Sequence, residues 1–153
     1  MKNLVILGGG YGGMRLLNKL TDHHFPEDIH VTLVDRVPYH CLKTEFYALA
    51  AGSISDHAVR VSFPKHERIS YKYGEVSTID LEKKRILFTQ DEPLAYDELV
   101  IGLGCEDKHH NIPGAAEYTY SIQSIDKSRS TYQALNNLGH GKVVAIIGGG
   151  LSG

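Results

Sequence analysis

Three glycines near the amino terminus have a spacing that suits phosphate binding. Gly8, Gly10 and Gly13 follow the apolar run Leu4–Leu7. In a Gly-x-Gly-x-x-Gly turn the first glycine makes the bend, the second lets the backbone approach a pyrophosphate, and the third lets a helix pack on the preceding strand. The start of that helix offers unpaired N–H groups and a positive dipole end to an anion. The spacing therefore predicts a dinucleotide-binding turn.

An acidic residue stands where such a turn needs one. Asp35 comes 22 residues after Gly13, at the end of a strand predicted at Ile29–Val34. A carboxylate about 20 residues beyond the turn can accept hydrogen bonds from the hydroxyls of an adenosine ribose. A surface carboxylate at a strand end is the alternative. The succession of strand, amphipathic helix and strand favours the binding interpretation.

The same pattern returns at the carboxyl end. The apolar run Val143–Ile147 leads into Gly148, Gly150 and Gly153, with the same Gly-x-Gly-x-x-Gly spacing. Two such turns in one chain are much less expected by chance than one. The repeat predicts a protein that binds two dinucleotides.

Short elements are predicted after the first of these turns. We expect a loop at 36–40, then a helix at 44–51 that Thr44 caps and Gly52 ends. Three β-rich segments separated by turn residues suggest a small antiparallel excursion from a parallel sheet: Ile69–Tyr73, Glu75–Asp80 and Arg85–Phe88.

The second half of the chain continues the alternation of strands and helices. The run 96–101 leads to Gly102 and Gly104 and has the pattern of a buried parallel strand beside a ligand. A helix is predicted at 126–138, before a last strand at 143–147 that would leave an apolar edge. The elements predict an α/β fold, with a parallel sheet, helices and the small antiparallel part.

The composition of the chain argues against some classes of function. The 153 residues are 42% apolar and 22% charged, with a net charge of −2, which argues against a nucleic-acid-binding surface. No run approaches 18 apolar residues, and the start is too short for a signal peptide, so the predicted location is cytoplasmic.

The cysteines and histidines predict no metal centre. Cys41 and Cys105 match no Cys-x-x-Cys spacing and are expected to be reduced. The nine histidines show no ligand pattern, and we interpret them as loop residues.

The chain resembles the type II NADH dehydrogenases of the flavoprotein superfamily that binds two dinucleotides. Beyond the glycine turns and Asp35, the resemblance rests on four segments: Tyr39-His40, Thr44-Glu45 with Ala50-Ala51-Gly52, Gly74-Glu75-Val76 and Tyr96–Gly104. It implies a Rossmann-like FAD/NAD(P)-binding fold. It also implies that hydride passes from NADH to FAD, and electrons then to a quinone at the membrane surface.

The resemblance also implies a set of binding residues. The first turn would hold the FAD pyrophosphate, Asp35 the adenosine ribose, Thr44 would lie near the flavin, and Val76 would meet adenine through its backbone. The whole implied FAD set is Gly8, Gly10, Tyr11, Gly12, Gly13, Asp35, Arg36, Thr44, Val76, Gly102 and Gly104. The second turn, with Gly148, Gly150 and Gly153, would begin the NADH site.

The family comparison further suggests how the chain is divided. We expect residues 1–114 to be an FAD-binding unit without its closing segment, and residues 115–153 to be a linker helix and the start of an NADH-binding unit. The chain is then an amino-terminal portion, inactive alone. The complete enzyme would be peripheral on the inner face of the cell membrane, through parts outside these residues, and a homodimer is compatible with it.

Two alternatives stay open. Cys41 has no second cysteine at the Cys-x-x-x-x-Cys spacing of glutathione-reductase relatives. Cys41 and Cys105 could instead serve the reaction of a sulfide:quinone oxidoreductase. The chain could also be a non-catalytic, truncated nucleotide-binding remnant.

Overall fold

The computed structural model of the chain describes residues 1–22 and 25–148. The strands are β1 (Lys2–Leu7), β2 (Ile29–Asp35), β3 (Tyr39–Cys41), β4 (Arg60–Ser62), β5 (Ile69–Tyr73), β6 (Val76–Asp80), β7 (Arg85–Phe88), β8 (Leu94–Ala95) and β9 (Glu98–Ile101). The helices are α1 (Tyr11–Asp22), α2 (Phe46–Ala50), α3 (Ala115–Tyr118) and α4 (Ile125–Asn136), with 3-10 turns at Lys43–Glu45 and Asp56–Val59.

The chain forms two compact units. The first combines Met1–Cys41 with Val61–Cys105, and the second combines Leu42–Arg60 with the residues from Glu106 onward. The first unit contains a parallel sheet in the order β5-β2-β1-β9 and an antiparallel sheet in the order β6-β7-β8. The predicted α/β fold is confirmed, as are the antiparallel part and the strand–helix–strand start.

The parallel sheet has a hydrophobic core on each face, because successive side chains of a strand point to opposite sides. On one face, α1 contributes Leu17 to a cluster with Ile6, Val31 and Leu33. On the other face, the antiparallel sheet covers a second cluster of Val5, Leu7, Val34, Ile86, Phe88 and Tyr96. Residues of β1 belong to both clusters, and the carboxyl end of this strand leads into the glycine turn.

Two predictions in the first unit were wrong. Ile69–Tyr73 does not belong to the antiparallel excursion: as β5 it pairs in parallel with β2, with Val31 opposite Ile69. The predicted loop at 36–40 ends in β3, which pairs with β4. In both cases the partner strand is distant in sequence, so local composition did not identify it.

The exposed end of the sheet also differs from expectation. The strand β9 was predicted to be buried, yet Val100 is 38% exposed and Ile101 is 58% exposed. The reason is position: β9 pairs with β1 and is the last strand on that side of the four-stranded sheet. Its main chain therefore has a partner on one side within the described part of the sheet.

In the second unit, α2 packs against α4. The side chain of Ser124 caps α4 by accepting from the Lys127 amide at 3.2 Å, and Gly52 ends the α2 segment with φ +73°. The predicted cap role of Thr44 was wrong, because Thr44 lies inside the 3-10 turn that precedes α2. Leu42 and Glu45 stand at the two cap positions, without side-chain hydrogen bonds to the helix ends.

Residues 142–148 do not form the predicted last strand. Val143, Ile146 and Ile147 are at least 80% exposed. A strand is defined by its pairing with a neighbour, and none of the described strands pairs with this segment. In the same described residues, no helix has the length and apolar character needed to cross a membrane.

Candidate functional site

Two of the three glycines in the first turn are required by the protein's own packing. Gly8 has φ +99°, and a Cβ there would lie 2.3 Å from the carbonyl oxygen of Gly102. A Cβ on Gly13 would lie 2.1 Å from the carbonyl oxygen of Gly8. Both distances are below the 3.0 Å that Cβ atoms tolerate. Gly8 therefore allows the bend, and Gly13 lets α1 start directly against it.

Gly10 has a different environment. A Cβ there would meet only the Gly102 carbonyl oxygen, at 4.0 Å, and φ is not in the left-handed region. A Cβ on Gly12 would meet nothing within 4 Å. Neither glycine is needed by the fold itself. The bare backbone at these two positions leaves open space through which a ligand can reach the main chain.

Several main-chain amides around this space have no acceptor among the described residues. The first hydrogen bond of α1 runs from the Met14 amide to the Gly10 carbonyl at 2.9 Å. Within the described part of the chain, the amides of Gly10, Gly12 and Gly13 donate to no protein acceptor. Gly13 is buried, where main-chain donors are nearly always paired. Phosphate oxygens are the kind of acceptor that the start of such a helix binds.

Asp35 lies beside this turn. Its Oδ2 accepts a hydrogen bond from the Gly9 amide at 2.6 Å, and its Oδ1 accepts from the Val37 amide at 3.1 Å. The carboxylate is half-buried. A carboxylate has about four acceptor positions, so these two bonds leave capacity for ribose hydroxyls while they hold the side chain against the turn.

Aromatic rings support the turn on the α1 face of the sheet. The Phe63 ring occupies the place where a Cβ of Gly9 would lie, at 2.5 Å. Phe63 stacks on Tyr71 with 5.4 Å between ring centroids, and Tyr71 stacks on Tyr73 at 6.5 Å. Burial raises the pKa of Tyr71, and the neighbouring Tyr73 raises it further. The Tyr71 hydroxyl donates to the Pro64 carbonyl.

Other predicted residues gather at the same end of the sheet. Gly102 follows β9 and donates from its amide to the Leu7 carbonyl at 2.7 Å, and Gly104 has φ +79°. Gly74 donates to the main-chain oxygen of Asp35 at 3.0 Å, which brings the start of β6, and so Val76, toward Asp35. Arg36 is exposed.

The remaining predicted residues belong to the second unit or lie outside the described residues. Thr44 belongs to the second unit and is exposed. Gly148 has φ +116° and is the last described residue, and Gly150 and Gly153 lie outside the described residues. The binding roles of the whole set stay predictions.

Sequence reasoning missed two residues at the turn, Phe63 and His40. His40 was interpreted as a loop residue, but it lies in β3, is 5% exposed, and contacts the turn through Nδ1, which is 2.8 Å from the Gly9 carbonyl oxygen. Tyr39-His40 contributed to the family resemblance, but no local signal assigned His40 or Phe63 to the turn, because each reaches it from a distant segment.

The described residues contain no group of three or more His, Cys, Asp or Glu side chains arranged to hold a metal ion. Of the cysteines, Cys41 is half-buried and Cys105 is exposed.

Comparison with known proteins identifies the family. Residues 2–153 match the model of the pyridine nucleotide-disulphide oxidoreductase family. The chain belongs to this family. It is 61% identical over 153 residues to the NADH dehydrogenase-like protein YutJ of Bacillus subtilis, and the match covers 100% of this chain and 43% of YutJ. It is 28% identical over 131 residues to a type II NADH:quinone oxidoreductase of Staphylococcus haemolyticus, which covers 84% of this chain and 32% of that protein.

A solved structure supports the fold. The sulfide:quinone oxidoreductase of Aquifex aeolicus matches with a TM-score of 0.76 and 24% identity, over 89% of this chain and 32% of that one. By the family match and these relatives, the chain is a pyridine nucleotide-disulphide oxidoreductase domain homologous to NADH:quinone oxidoreductases, and the predicted family resemblance is confirmed. It spans less than half the length of the relatives that it matches.

Proposed function

We propose that the first glycine turn binds the pyrophosphate of FAD and that Asp35 binds the adenosine ribose. The observation that carries this proposal is the contrast among the glycines. At Gly8 and Gly13 protein atoms leave no room for a Cβ, whereas Gly10 faces open space beside amides that have no acceptor among the described residues. A pyrophosphate suits this arrangement, because a helix start stabilises negative charge without a basic side chain.

Asp35 suits an adenosine whose ribose carries no phosphate. Its carboxylate can accept from two ribose hydroxyls, but it would repel a 2′-phosphate by charge. The two main-chain bonds to Asp35 orient the carboxylate before any ligand arrives. Preorganised acceptors of this kind lower the cost of ordering that binding would otherwise include.

The protein function that we propose is that of the FAD-binding part of an NADH:quinone oxidoreductase. When bound, FAD would take a hydride from NADH and release the electrons to a quinone. This chain's own contribution is to hold the adenosine and pyrophosphate end of FAD. The names of the relatives support this reading: one is NADH dehydrogenase-like, and another is a type II NADH:quinone oxidoreductase.

The remaining parts of the proposal concern the longer protein. Residues 1–114 would form the FAD unit, with Thr44 beside the flavin and Val76 at adenine. Residues 115–153 would lead into the NADH unit through the second glycine turn. The complete enzyme would work at the inner face of the cell membrane.

A titration of the chain with FAD and with FMN tests the proposal. FMN carries the same flavin but lacks the pyrophosphate link and the adenosine, so we expect measurable binding of FAD and much weaker binding of FMN. Asp35→Ala should weaken FAD binding by about 1.5 to 3 kcal/mol, which is roughly 10- to 150-fold, because hydrogen bonds to a charged acceptor are lost.

Equal affinities for FAD and FMN would contradict the assignment of the turn to pyrophosphate. If the chain bound neither, the non-catalytic remnant would be the better description.

A further inference from the structure

The peptide groups on both sides of Gly9 are held by side chains from other strands. The Gly9 amide donates to Asp35 Oδ2 at 2.6 Å, and the Gly9 carbonyl is 2.8 Å from His40 Nδ1. Asp35 ends β2 and His40 lies in β3, so two separate segments hold one residue of the turn. A carbonyl oxygen can only accept, so Nδ1 carries the hydrogen of this bond.

His40 is itself held firmly. Its side chain is 5% exposed, and its ring stands edge-on to Tyr11, with centroids 4.9 Å apart and an interplanar angle of 82°. Tyr11 is the first residue of α1. The imidazole therefore lies between the glycine turn and the first turn of the helix, bonded to Gly9 and in contact with Tyr11.

This bond affects how α1 begins. In an α-helix each amide donates to the carbonyl four residues earlier, so the Gly9 carbonyl is the natural acceptor for the Gly13 amide. Here the helix starts one residue later, with the bond from Met14 to Gly10. The Gly9 carbonyl is bound to His40 instead, and the buried Gly13 amide has no acceptor in the described part of the chain.

We propose that His40 is a positioning residue of the phosphate-binding turn. A carbonyl oxygen can accept two hydrogen bonds, so His40 acts through direction: it draws the Gly9 carbonyl toward β3 and away from the Gly13 amide, which stays available to an anionic ligand. The inference rests on the proposed function for its ligand, the pyrophosphate of FAD. Its effect on the main chain exists without any ligand.

Substitutions at His40 test the inference through two independent readouts. His40→Leu removes the donor and replaces the imidazole by an apolar side chain of moderate size. His40→Asn is the conservative rescue, because its amide nitrogen occupies about the position of Nδ1. His40→Gln places its donor farther from the main chain. For each variant we would measure FAD affinity by titration and the hydrogen-exchange rate of the Gly13 amide by nuclear magnetic resonance in the free protein.

We expect His40→Leu to slow exchange at Gly13, because the freed Gly9 carbonyl becomes its acceptor, and to bind FAD roughly 10-fold more weakly. His40→Asn should restore both values, and His40→Gln should not. If His40→Leu fails to fold, the contrast between the Asn and Gln variants decides the question.

A matched control is His66→Leu. His66 is half-buried in the same unit, stacks on Phe25 with 4.5 Å between centroids, and accepts at Nδ1 from the Arg68 amide. This change removes a structural histidine without touching the turn, so exchange at Gly13 should be unchanged.

The outcomes separate the two proposals. If the wild-type chain does not bind FAD, the proposed function fails, and the exchange rate at Gly13 still decides the role of His40. If the chain binds FAD but His40→Leu changes neither exchange at Gly13 nor affinity, the positioning role is overturned and the proposed function stands.

Discussion

Replacing Gly10 by alanine should separate ligand binding from folding. An added Cβ would have only one atom at 4.0 Å, the Gly102 carbonyl oxygen, and the backbone is outside the left-handed region. A compatible Gly→Ala change stabilises by about 0.4 to 1 kcal/mol through the unfolded chain. Gly10 is also the residue before α1, where alanine is a poorer cap than glycine, by about 0.5 to 1 kcal/mol. The two effects nearly cancel.

The effect on binding should be much larger. The new methyl group would stand in the open space beside the amides of Gly12 and Gly13, where we place the pyrophosphate. Each lost hydrogen bond to a charged group costs about 1.5 to 3 kcal/mol. We therefore expect Gly10→Ala to weaken FAD binding by roughly 10-fold or more, while the free energy of unfolding stays within about 1 kcal/mol of the wild type.

Two further glycine-to-alanine variants serve as controls for Gly10→Ala. At Gly13 the same methyl group would lie 2.1 Å from the Gly8 carbonyl oxygen, so Gly13→Ala should destabilise the fold by about 1 to 3 kcal/mol or more. At Gly139 a Cβ meets nothing within 4 Å, and this residue lies after α4 in the second unit. Gly139→Ala should leave FAD binding unchanged.

Urea unfolding and FAD titration on the same preparations provide the assay. The reasoning is refuted if Gly10→Ala binds FAD as tightly as the wild type. It is also refuted if this variant is destabilised as strongly as Gly13→Ala, since the position would then be packed rather than open.

Two other predictions concern the electrostatics of the second unit and the chemistry of the isolated chain. The hydrogen bond from Lys127 holds the pKa of the Asp107 carboxyl below its usual value, so its stabilisation is present above about pH 4, the unfolded pKa, and is lost as pH falls through the lower folded pKa. Urea unfolding should show Lys127→Met less stable than the wild type at neutral pH, with the difference shrinking in acid; a constant difference would contradict this. Hydride transfer needs the nicotinamide within about 3 to 3.5 Å of the flavin, and the chain spans 43% of the relative YutJ. We therefore expect NADH to bleach the flavin of the FAD-loaded chain under anaerobic conditions no faster than it bleaches free FAD. Faster bleaching would show that these residues bind both FAD and NADH.

The start of the chain could be predicted because its signals are local. An apolar strand, a glycine spacing and an amphipathic helix are patterns within about 20 residues. They correctly predicted β1, α1 and β2, and they placed Asp35 at the end of β2, where it contacts the turn. The glycine at 52 was likewise a local signal, and it does end its helical segment with positive φ.

Pairing between strands could not be predicted in the same way. Ile69–Tyr73 has a β-rich composition that fits either sheet, and only its register with β2 decided that it belongs to the parallel one. The apolar run 143–147 has the composition of a strand, but it has no partner among the described strands. A strand forms only by pairing with a second segment, and the residues of one segment do not show where its partner lies in space.

The sequence by itself determined the dinucleotide-type turn, the acidic residue beside it and the α/β class. Tertiary structure alone decided which glycines are packed and which face open space, and it alone brought His40 and Phe63 to Gly9. The physical reason is range: a bend and a helix start follow from neighbouring residues, whereas a buried hydrogen bond between residues 9 and 40 exists only once three strands have been assembled around the turn.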